Sequence, residues 1–277
     1  MEPSKRLRGR PKSFNDKSSQ SRIQSLDRAL DVLGCVAAGG GMTLTEIADE
    51  LGQSTATIHR ILTTFAARDA LEMDQASQEW FVGSASFRTG SAFLRRTGLM
   101  ERARPIMRVL MAQTGETANL GIQSDGQVLF LSQVETSENI RAFFPPGSQS
   151  PMYASGIGKA LLAHADEAQI EKYLTKEKLL RFTANTITDI QALREELENI
   201  KEQGYSFDNE EKSDGMRCVA APVFNSYGET IAGLSISGPS ARLSVEKCRS
   251  VGQVVKEQAL NLSHYMGYGG YGATVRP

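Results

Sequence analysis

The segment between residues 43 and 68 constrains the fold most strongly, because two short apolar stripes at helical spacing flank one glycine. Each stripe falls at positions i, i+3, i+4 and i+7, which is the pattern of an amphipathic helix. The stripes are Leu44, Ile47, Ala48 and Leu51, followed by Ile58, Ile61, Leu62 and Phe65. Gly52 permits a tight turn between them. The sequence therefore predicts two short helices that share one small core.

The polar residues of this segment indicate where each helix begins and what the second one exposes. Thr43 is placed to cap the first helix, with Glu46 completing a capping box, and Ser54 is placed to cap the second. The second helix, residues 54–68, has an exposed face without carboxylates, made of Thr55, Thr57, His59, Arg60, Thr63 and Thr64. Donors and acceptors of this length suit base edges and phosphates. This is the pattern of a DNA-reading helix-turn-helix, and its candidate DNA contacts are Thr43, Ser54, Thr55, Thr57, His59 and Arg60.

The flanking segments extend this unit. Upstream, an apolar stripe predicts a third amphipathic helix, and its members are Leu26, Ala29, Leu30 and Leu33. Downstream, residues 71–73 and 80–82 flank a polar stretch as the strands of a hairpin do. Together they predict a winged helix-turn-helix over residues 25–83. Because apolar helical hairpins are also common in plain helical subdomains, that is the alternative interpretation, and the hairpin favours the DNA-reading one.

The charge of this unit is unusual for a DNA reader. Residues 25–83 carry nine carboxylates and only three arginines, although phosphate attraction normally dominates nucleic-acid affinity. Residues 1–24 hold seven cations against two carboxylates and few apolar residues, which predicts a disordered basic arm. Within it RGRP, at residues 8–11, resembles the core of an AT-hook, so Arg8 and Arg10 are candidate contacts in a narrow A·T minor groove. The alternative is a solvated tail that aids solubility.

Whole-chain composition excludes several classes of protein. With 277 residues, 40% of them hydrophobic, and a net charge of −1, the chain suits a soluble protein of two modest domains. It has no apolar run of about 18 residues and no signal-peptide core, so we expect no membrane association and a cytoplasmic location. Three cysteines and three histidines lie far apart, which argues against a disulfide framework or a metal site. Nothing in the sequence indicates a cofactor.

The rest of the chain predicts a linker helix over residues 84–99, a mixed α/β domain over residues 100–267 and a disordered tail over residues 268–277. Within the α/β domain, apolar periodicity predicts strands over residues 117–123, 127–134, 140–144, 205–208, 217–224 and 230–237. Helices are predicted from residue 100, after an irregular segment at residues 155–158, near residues 166–174 and 188–203, and from residue 244 to about residue 266.

Candidate binding residues of this domain follow from the period-2 geometry of its last strands. Ser235 and Ser237 project to one face, and in ordinary hairpin register Cys218 of the preceding strand can join them. Asp208 closes an earlier strand, and Gly156-Ile157-Gly158 presents backbone N–H groups at a helix N-terminus, where anions bind. Each has an ordinary explanation when taken singly: a core cysteine, surface serines, a glycine turn without the Walker spacing. Their convergence would form a small polar pocket.

From about residue 25 to residue 267 the chain resembles the IclR family of bacterial transcriptional regulators. The resemblance is carried by SLDRALDVL and LTEIADELGQSTATIHRIL in the first domain, and by ASGIGKALLA, GYSFDNEE and MRCVAAPVFNSYGETIAGLSISGPSARL in the second. It implies a GAF-like effector-binding domain and control of a catabolic operon by a small acid. It also implies a homodimer or a dimer of dimers, which would be a homotetramer.

Within the family, RGRP, TGETANLGIQ, SGIGKALL and SISGPSARL look most like the allantoin-regulon repressor and its relatives that sense glyoxylate. This likeness implies that the ligand lies against two backbone amides and four side chains. These belong to Gly156 and Ile157, and to Asp208, Cys218, Ser235 and Ser237. Ile157 stands where that relative has a smaller residue, which can narrow the pocket or shift its preference to a related oxoacid.

The sequence thus predicts an α+β protein with an N-terminal winged helix-turn-helix, a linker helix and a C-terminal GAF-like α/β domain. We expect a homo-oligomer whose affinity for double-stranded operator DNA is modulated by a small carboxylic acid. Glyoxylate is the first candidate for this acid, and another oxoacid, an aromatic acid or a sugar acid are the alternatives. Asp208 beside an anion should be protonated or accept from a hydrated aldehyde, so burial and like charge should raise its pKa. A redox sensor using Cys218 is a further alternative. An enzyme is disfavoured because no nucleophile–base pair, metal cluster or phosphate loop is visible.

Overall fold

The computed structural model describes residues 23–269, apart from the side chains of residues 93–97, and these residues form two compact units that divide within one helix, between residues 93 and 94. The arm residues Arg8 and Arg10 and the tail residues 270–277 lie outside the described residues. No helix between residues 23 and 269 combines the length and the apolar character needed to cross a membrane.

The first unit is a winged helix. Its elements are α1 (Gln24–Gly39), β1 (Met42–Thr43), α2 (Leu44–Glu50), α3 (Thr55–Ala66), β2 (Leu71–Met73) and β3 (Glu79–Val82), with the strands antiparallel in the order β1-β3-β2. Gly52, at φ +59°, turns the chain between α2 and α3, and the Gln53 N–H donates to the Ala48 carbonyl at 2.9 Å. Both the helix-turn-helix and the hairpin predicted from the sequence are confirmed.

The apolar stripe of α1 differs from the prediction. Val32 and Val36 are buried, whereas Leu26 and Leu30 are each 54% exposed. Leu33 belongs both to the predicted stripe and to the alternative stripe that contains Val32 and Val36. Periodicity alone therefore cannot decide which of the two stripes faces the core. Packing decides, since the two valines belong to the core cluster shared with α2, α3 and the wing.

The second unit is a six-stranded antiparallel sheet with helices on both faces, and α4 (Ser84–Thr97) leads into it as the predicted linker helix. Its helices are α5 (Leu99–Thr114), α6 (Gly156–Leu162), α7 (Glu167–Lys176), α8 (Ile190–Gln203) and α9 (Val245–Tyr265). Its strands are β4 (Thr117–Ser124), β5 (Gln127–Val134), β6 (Gln149–Pro151), β7 (Ser206–Asn209), β8 (Met216–Phe224) and β9 (Thr230–Pro239). The strand order in the sheet is β6-β5-β4-β9-β8-β7.

The two faces of this sheet have different partners. Leu234 and Ile236 of β9 are fully buried in a core formed with α5 and α9. Ser235 and Ser237 alternate with them and therefore project to the opposite face. On that face, α6, α7 and α8 contribute to a second apolar cluster. The candidate ligand-binding serines consequently lie between the sheet and the α6 side of the domain.

Residues 140–144, predicted as a strand, have no regular structure. On the edge of β5 that could pair with them, β6 pairs with residues 127–129, and the backbone of Phe130 bonds to residues 147 and 148. The Ile140 carbonyl instead accepts from the Arg242 guanidinium at 2.8 Å, and the Ala142 carbonyl accepts from the Gln133 amide at 3.4 Å. Ile140 is exposed and Ala142 is buried, although residues two apart share one face of a strand, so the segment lacks the burial pattern of a strand. Side chains bond these two carbonyls where a neighbouring strand would have done so.

The predicted disordered tail begins too early. The ring of Tyr268 stacks on Phe224 with centroids 5.1 Å apart, and the Tyr268 N–H donates to the Ser263 carbonyl at 2.9 Å. This aromatic contact extends the packed domain past the end of α9.

Candidate functional site

The N-terminal ends of α2 and α3 are capped as the sequence predicts. The Thr43 N–H donates to Glu46 Oε2 at 2.8 Å, and the Glu46 N–H donates to Thr43 Oγ1 at 3.4 Å. The Thr57 N–H donates to Ser54 Oγ at 3.2 Å, and the two hydroxyls lie 2.9 Å apart. The hydroxyls of Thr43, Ser54 and Thr57 therefore already have partners within the chain.

The other polar side chains on the exposed face of α3 fall into two sets. Thr63 Oγ1 donates to the carbonyls of His59 and Arg60 at 2.9 and 3.1 Å, and Thr64 Oγ1 donates to the Arg60 carbonyl at 2.6 Å. Thr55, His59 and Arg60 are exposed, and none of the side chains that the structure describes forms a hydrogen bond or an ion pair with theirs. These three side chains can contact a molecule outside the chain without first breaking an internal bond.

Strand register brings the predicted ligand-binding residues of the second unit together. Cys218 on β8 lies opposite Ser237 on β9 and opposite Asp208 on β7, while Ser235 lies opposite Ala220. Side chains at facing positions of neighbouring strands share one face of a sheet. Asp208, Cys218, Ser235 and Ser237 are all buried. The predicted convergence of these four residues is therefore present.

These residues line a cavity of about 30 Å³ between the sheet and the start of α6. Its polar lining comprises Ser150, Ser155, Asp208, Lys212, Cys218, Ser235 and Ser237, and the rest is Phe130, Phe144, Ala154, Gly156 and Ile157. The rings of Phe130 and Phe144 stack with centroids 4.7 Å apart and form an apolar wall. Since one water molecule needs roughly 10–15 Å³ of such space, the cavity suits a ligand of a few heavy atoms.

The first turn of α6 forms the backbone wall of the cavity. The helix begins at Gly156, so residues 156–158 are helical where the sequence indicated an irregular segment, and Ser155 Oγ accepts from the Gly158 N–H at 3.1 Å. The N–H groups of Gly156 and Ile157 have no acceptor within the helix, because they belong to its first turn. A Cβ atom on Gly156 would lie 2.7 Å from Cys218 Sγ. Only glycine therefore allows the helix to approach β8 this closely.

Ile157 fills much of the space beside the cavity. Its side chain is 1% exposed, and its Cγ2 would lie 2.6 Å from a Cβ atom added to Gly233 of β9. A glycine on the neighbouring strand thus makes room for this isoleucine. The residue that the sequence identified as a departure from its relatives lies where its size sets the width of the cavity.

The Asp208 carboxyl is the unusual charged group of the cavity. Burial and the neighbouring Glu211 carboxylate raise the pKa of Asp208 to about 7, against opposing effects of Lys159 and of the Glu211 N–H, which donates to Asp208 Oδ1 at 2.9 Å. The direction and causes agree with the expectation from the sequence. A carboxyl that is substantially protonated near neutral pH can lie beside an anionic ligand.

Lys159, which follows the Gly-Ile-Gly segment, serves a buried ion cluster. Its Nζ donates to Glu211 Oε1 at 2.5 Å, to Glu196 Oε1 at 2.9 Å and to the Phe207 carbonyl at 2.7 Å. Burial lowers the pKa of Lys159, but the carboxylates of Glu211, Glu196 and Asp208 outweigh it and the net shift is upward. All three donors of this ammonium group have acceptors, so the segment is not a phosphate-binding loop.

The Cys218 thiol is unreactive. Burial raises the pKa of its thiol to about 12, and the Asp208 carboxylate adds to the rise while the Ser237 and Ser235 hydroxyls oppose it. Such a thiol stays protonated near neutral pH and acts as a weak hydrogen-bonding group, not a nucleophile. Within the described part of the chain, no cluster of His, Cys, Asp and Glu side chains has the arrangement of a metal site.

The sequence analysis missed four polar side chains of this site: Ser150 and Ser155 of the lining, and Asn119 and Lys212. Asn119 on β4 is fully buried, and its Nδ2 donates to Ser237 Oγ at 3.2 Å and to Ser235 Oγ at 3.4 Å. Lys212 lines the cavity, and its Nζ lies 3.3 Å from the centroid of the Phe182 ring. The available signal for Asn119 was an asparagine between the apolar Ala118 and Leu120 of a predicted strand, and no pattern pointed to Lys212.

A winged helix with an exposed polar recognition face, in one chain with a domain that buries a small polar cavity, defines a DNA-binding regulator that responds to a small molecule. Two family models match: the IclR helix-turn-helix domain over residues 25–75, and the C-terminal domain of the bacterial transcriptional regulator IclR over residues 91–264. The chain belongs to the IclR family. It is therefore a transcriptional regulator and not an enzyme.

Relatives align along nearly the whole chain. The HTH-type transcriptional regulator BhcR of Paracoccus denitrificans is 52% identical over 94% of this chain and 95% of its own length. The HTH-type transcriptional repressor AllR of Klebsiella pneumoniae is 34% identical over 95% of this chain and 96% of its own. A crystal structure of an IclR homologue from Microbacterium hydrocarbonoxydans, complexed with 4-hydroxybenzoate, has a TM-score of 0.77 and 26% identity, and covers 87% of this chain and 98% of that one. Because identity to BhcR exceeds identity to AllR by a wide margin, likeness to AllR does not assign the chain to the AllR subgroup.

Proposed function

We propose that this chain is a homo-oligomeric, cytoplasmic regulator that binds double-stranded operator DNA through α3. A small oxoacid in the cavity, first glyoxylate, changes its affinity for that DNA. Two winged helices of a homodimer or homotetramer would read the two halves of a pseudo-palindromic site. Effector binding would bias the relative arrangement of those two helices, with a coupling free energy of about 1–3 kcal/mol.

The cavity carries the ligand assignment. It offers about 30 Å³ of space and combines the Ser235 and Ser237 hydroxyls with the amide N–H groups of Gly156 and Ile157. A small carboxylate needs a few such donors and little apolar surface. Lys212 adds a cation to the lining, so one end of the ligand can be negative. Asp208, with its pKa raised to about 7, can accept from the hydroxyls of a hydrated aldehyde or, when protonated, donate to a carboxylate.

The alternatives have less support. An aromatic acid has about ten heavy atoms, and a cavity of about 30 Å³ would have to expand to admit one. 4-Hydroxybenzoate is the ligand of the Microbacterium hydrocarbonoxydans homologue, whose identity to this chain is 26%. A thiol-based redox sensor would need thiolate at Cys218, and a pKa of about 12 leaves almost none at neutral pH.

The DNA interface follows from the side chains of α3. Thr55, His59 and Arg60 would reach base edges or phosphates, while the capping bonds of Ser54 and Thr57 fix the helix start that points at the DNA. Thr43, which caps α2, would contact the backbone of the duplex. The basic arm, with Arg8 and Arg10, would supply the positive charge that residues 25–83 lack.

Calorimetry tests this proposal. The full-length protein is titrated with glyoxylate, pyruvate, glycolate and 4-hydroxybenzoate, alone and bound to a duplex that the protein selects from a random-sequence library. We expect glyoxylate to bind most tightly, in the micromolar range, and to change affinity for the duplex by about 5- to 150-fold. Tighter binding of another acid, or no detectable binding of glyoxylate, would overturn the ligand assignment. Neither result would contradict the proposal that the protein is a DNA-binding regulator.

A further inference from the structure

A relay of side-chain amides runs behind the cavity and ends at its two serines. Gln133 Nε2 donates to the Ala142 carbonyl at 3.4 Å and to Asn119 Oδ1 at 3.0 Å. Asn119 Nδ2 in turn donates to Ser237 Oγ at 3.2 Å and to Ser235 Oγ at 3.4 Å. Asn119 and both serines are at most 1% exposed, so bulk water does not compete for these bonds.

The relay has a direction that one atom fixes. A backbone carbonyl can only accept, so the Ala142 oxygen requires the NH₂ group of Gln133 to face it. The second N–H of that group then meets Asn119, whose oxygen must face Gln133. The NH₂ group of Asn119 must consequently face the serines. A backbone atom thus determines the orientation of both amides in a region where each could otherwise be flipped.

The same logic sets the hydroxyl protons. Each serine oxygen accepts an N–H from Asn119, and neither serine can donate back, because the Asn119 nitrogen has no acceptor capacity. The proton of each hydroxyl must point elsewhere, and both serines line the cavity. One neighbour there is the Cys218 thiol, a weak acceptor, and hydrogen bonds from the serine hydroxyls lower the pKa of this thiol relative to burial alone. A ligand oxygen is a much better acceptor than this sulfur.

We propose that Asn119, held by Gln133, is a positioning residue that commits Ser235 and Ser237 to act as hydrogen-bond donors, so that the cavity selects a ligand group that only accepts. A carboxylate meets this requirement, whereas the NH₂ of the corresponding amide presents donors where the cavity also donates. The inference deepens the proposed function and rests on it for the identity of the ligand. The polarity of the relay itself does not depend on any ligand.

A neutron structure of the perdeuterated protein tests the polarity directly. We expect the deuterons of Ser235 and Ser237 to point into the cavity and the two deuterons of the Asn119 amide to point at the serines. Serine deuterons directed at Asn119, or an Asn119 oxygen facing the serines, would overturn the proposal. This result is independent of whether glyoxylate binds, so failure of the ligand assignment and failure of the relay are distinguishable.

Substitution tests the consequence for selectivity. Asn119→Asp keeps the shape but replaces the donor by an acceptor, so the serines would donate to residue 119 and turn their lone pairs toward the cavity. We expect glyoxylate to bind at least about tenfold more weakly, and its neutral amide, glyoxylamide, at least about threefold more tightly. Charge repulsion alone would weaken glyoxylate without improving the amide. Loss of both ligands in a folded variant would mean that Asn119 is only structural.

Two further variants keep this test decisive. Gln133→Glu presents an acceptor to Asn119 and should flip its amide, which would give the same exchange of ligand preference with the new charge one residue farther from the cavity. Gln123→Glu adds the same charge to an exposed position of β4 outside the relay, so both ligands should bind as they do to the parent protein. Thermal unfolding of each variant verifies that it is folded. If Asn119→Asp does not fold, Gln133→Glu alone tests the change in ligand preference. An unchanged glyoxylate-to-amide ratio in Gln133→Glu would contradict the relay.

Discussion

The exposed polar face of α3, which we propose reads DNA, and the cavity of the second unit use similar polar groups in opposite environments. On α3 the side chains of Thr55, His59 and Arg60 are exposed and unpaired with any side chain that the structure describes, which leaves their donors available. In the cavity Ser235 and Ser237 are buried, and each accepts a hydrogen bond from Asn119. Water can hydrate the first set until DNA arrives. The second set must be satisfied within the protein, so its geometry is fixed in advance.

This contrast separates affinity for DNA from affinity for the effector. A surface that keeps its donors in water gains little per hydrogen bond and depends on charge, which salt screens. A dry cavity makes each hydrogen bond to a charged ligand stronger and far less sensitive to salt. Substitutions in the two regions should therefore affect different measurements, and the largest effects should come from the cavity.

Removing both cavity hydroxyls should have the largest effect. Ser235→Ala combined with Ser237→Ala removes two hydrogen bonds to a charged ligand, so we expect roughly 100-fold weaker glyoxylate binding by calorimetry and unchanged duplex affinity without effector. Ser132→Ala is the matched control, since Ser132 is a strand serine that is 3% exposed and is not among the residues that line the cavity. Intact effector affinity in the double variant would locate the pocket elsewhere.

Removing the exposed arginine of α3 comes next. Arg60→Ala should weaken binding to the selected duplex by about 10- to 100-fold if the guanidinium reads a base or clamps a phosphate, with effector affinity unchanged. Thr57→Ala should have a smaller effect, because its hydroxyl already pairs with Ser54. Thr63→Ala is the control, since the Thr63 hydroxyl is bonded to backbone carbonyls and has little left to offer DNA. Gel-shift titrations in which both Arg60→Ala and Thr57→Ala match the parent would exclude α3 as the recognition helix.

More of the α3 face than of the cavity could be predicted from the sequence. The α3 face lies within one segment, where helical periodicity, the Ser54 cap and the absence of carboxylates are all visible. The cavity required strand pairing, and period-2 alternation correctly placed Ser235, Ser237 and Cys218 on one face. Asn119 could not be found in this way, because its partners are 116 and 118 residues away on a strand whose pairing with β4 no local pattern reveals.

Two of the differences from prediction, the apolar stripe of α1 and the strand at residues 140–144, have a common physical cause. The stripe containing Leu26 rested on helical periodicity, and the strand predicted at residues 140–144 rested on the apolar residues of that segment. In each case the deciding interaction was made by a distant part of the chain: the core shared with α2 and α3 for the helix, and the side chains of Gln133 and Arg242 for the segment. Local pattern identifies what an element could bury, but tertiary partners decide whether it does.

The pH dependence of effector binding also distinguishes the cavity from α3, and its expected effect is of intermediate size. The folded-state pKa of Asp208 is raised from 3.8 to about 7. The contribution of this carboxyl to the free energy of unfolding is therefore fully present below about pH 4 and is lost as the pH rises to 7. If the anion requires protonated Asp208, glyoxylate affinity should be level below pH 7 and fall up to about tenfold per unit above it. Glu211 titrates with Asp208, so the profile belongs to the pair.

Calorimetry between pH 6 and pH 9 measures this profile, and Asp208→Asn should flatten it because an amide cannot lose the proton. DNA affinity without effector should lack the same step, since Asp208 is far from α3 in sequence and belongs to the other compact unit. Affinity that rises with pH, or an Asp208→Asn variant that keeps the parent slope, would show that the ligand does not meet a protonated carboxyl.

Removing the basic arm should have the smallest effect and the clearest salt signature. Deletion of residues 1–20 takes away six cations, so we expect a severalfold loss of duplex affinity at moderate salt. The slope of log affinity against log salt should fall by about one to two, because each phosphate that the protein neutralises releases counterions and contributes about 0.9 to the slope. A full-length chain with Arg8→Ala and Arg10→Ala separates an A·T minor-groove contact from bulk charge: it should lose its preference for A·T-flanked sites while retaining most of the slope. An arm whose deletion leaves the slope unchanged would be a solvated tail, and α3 would then have to hold its DNA with the few arginines of its own domain.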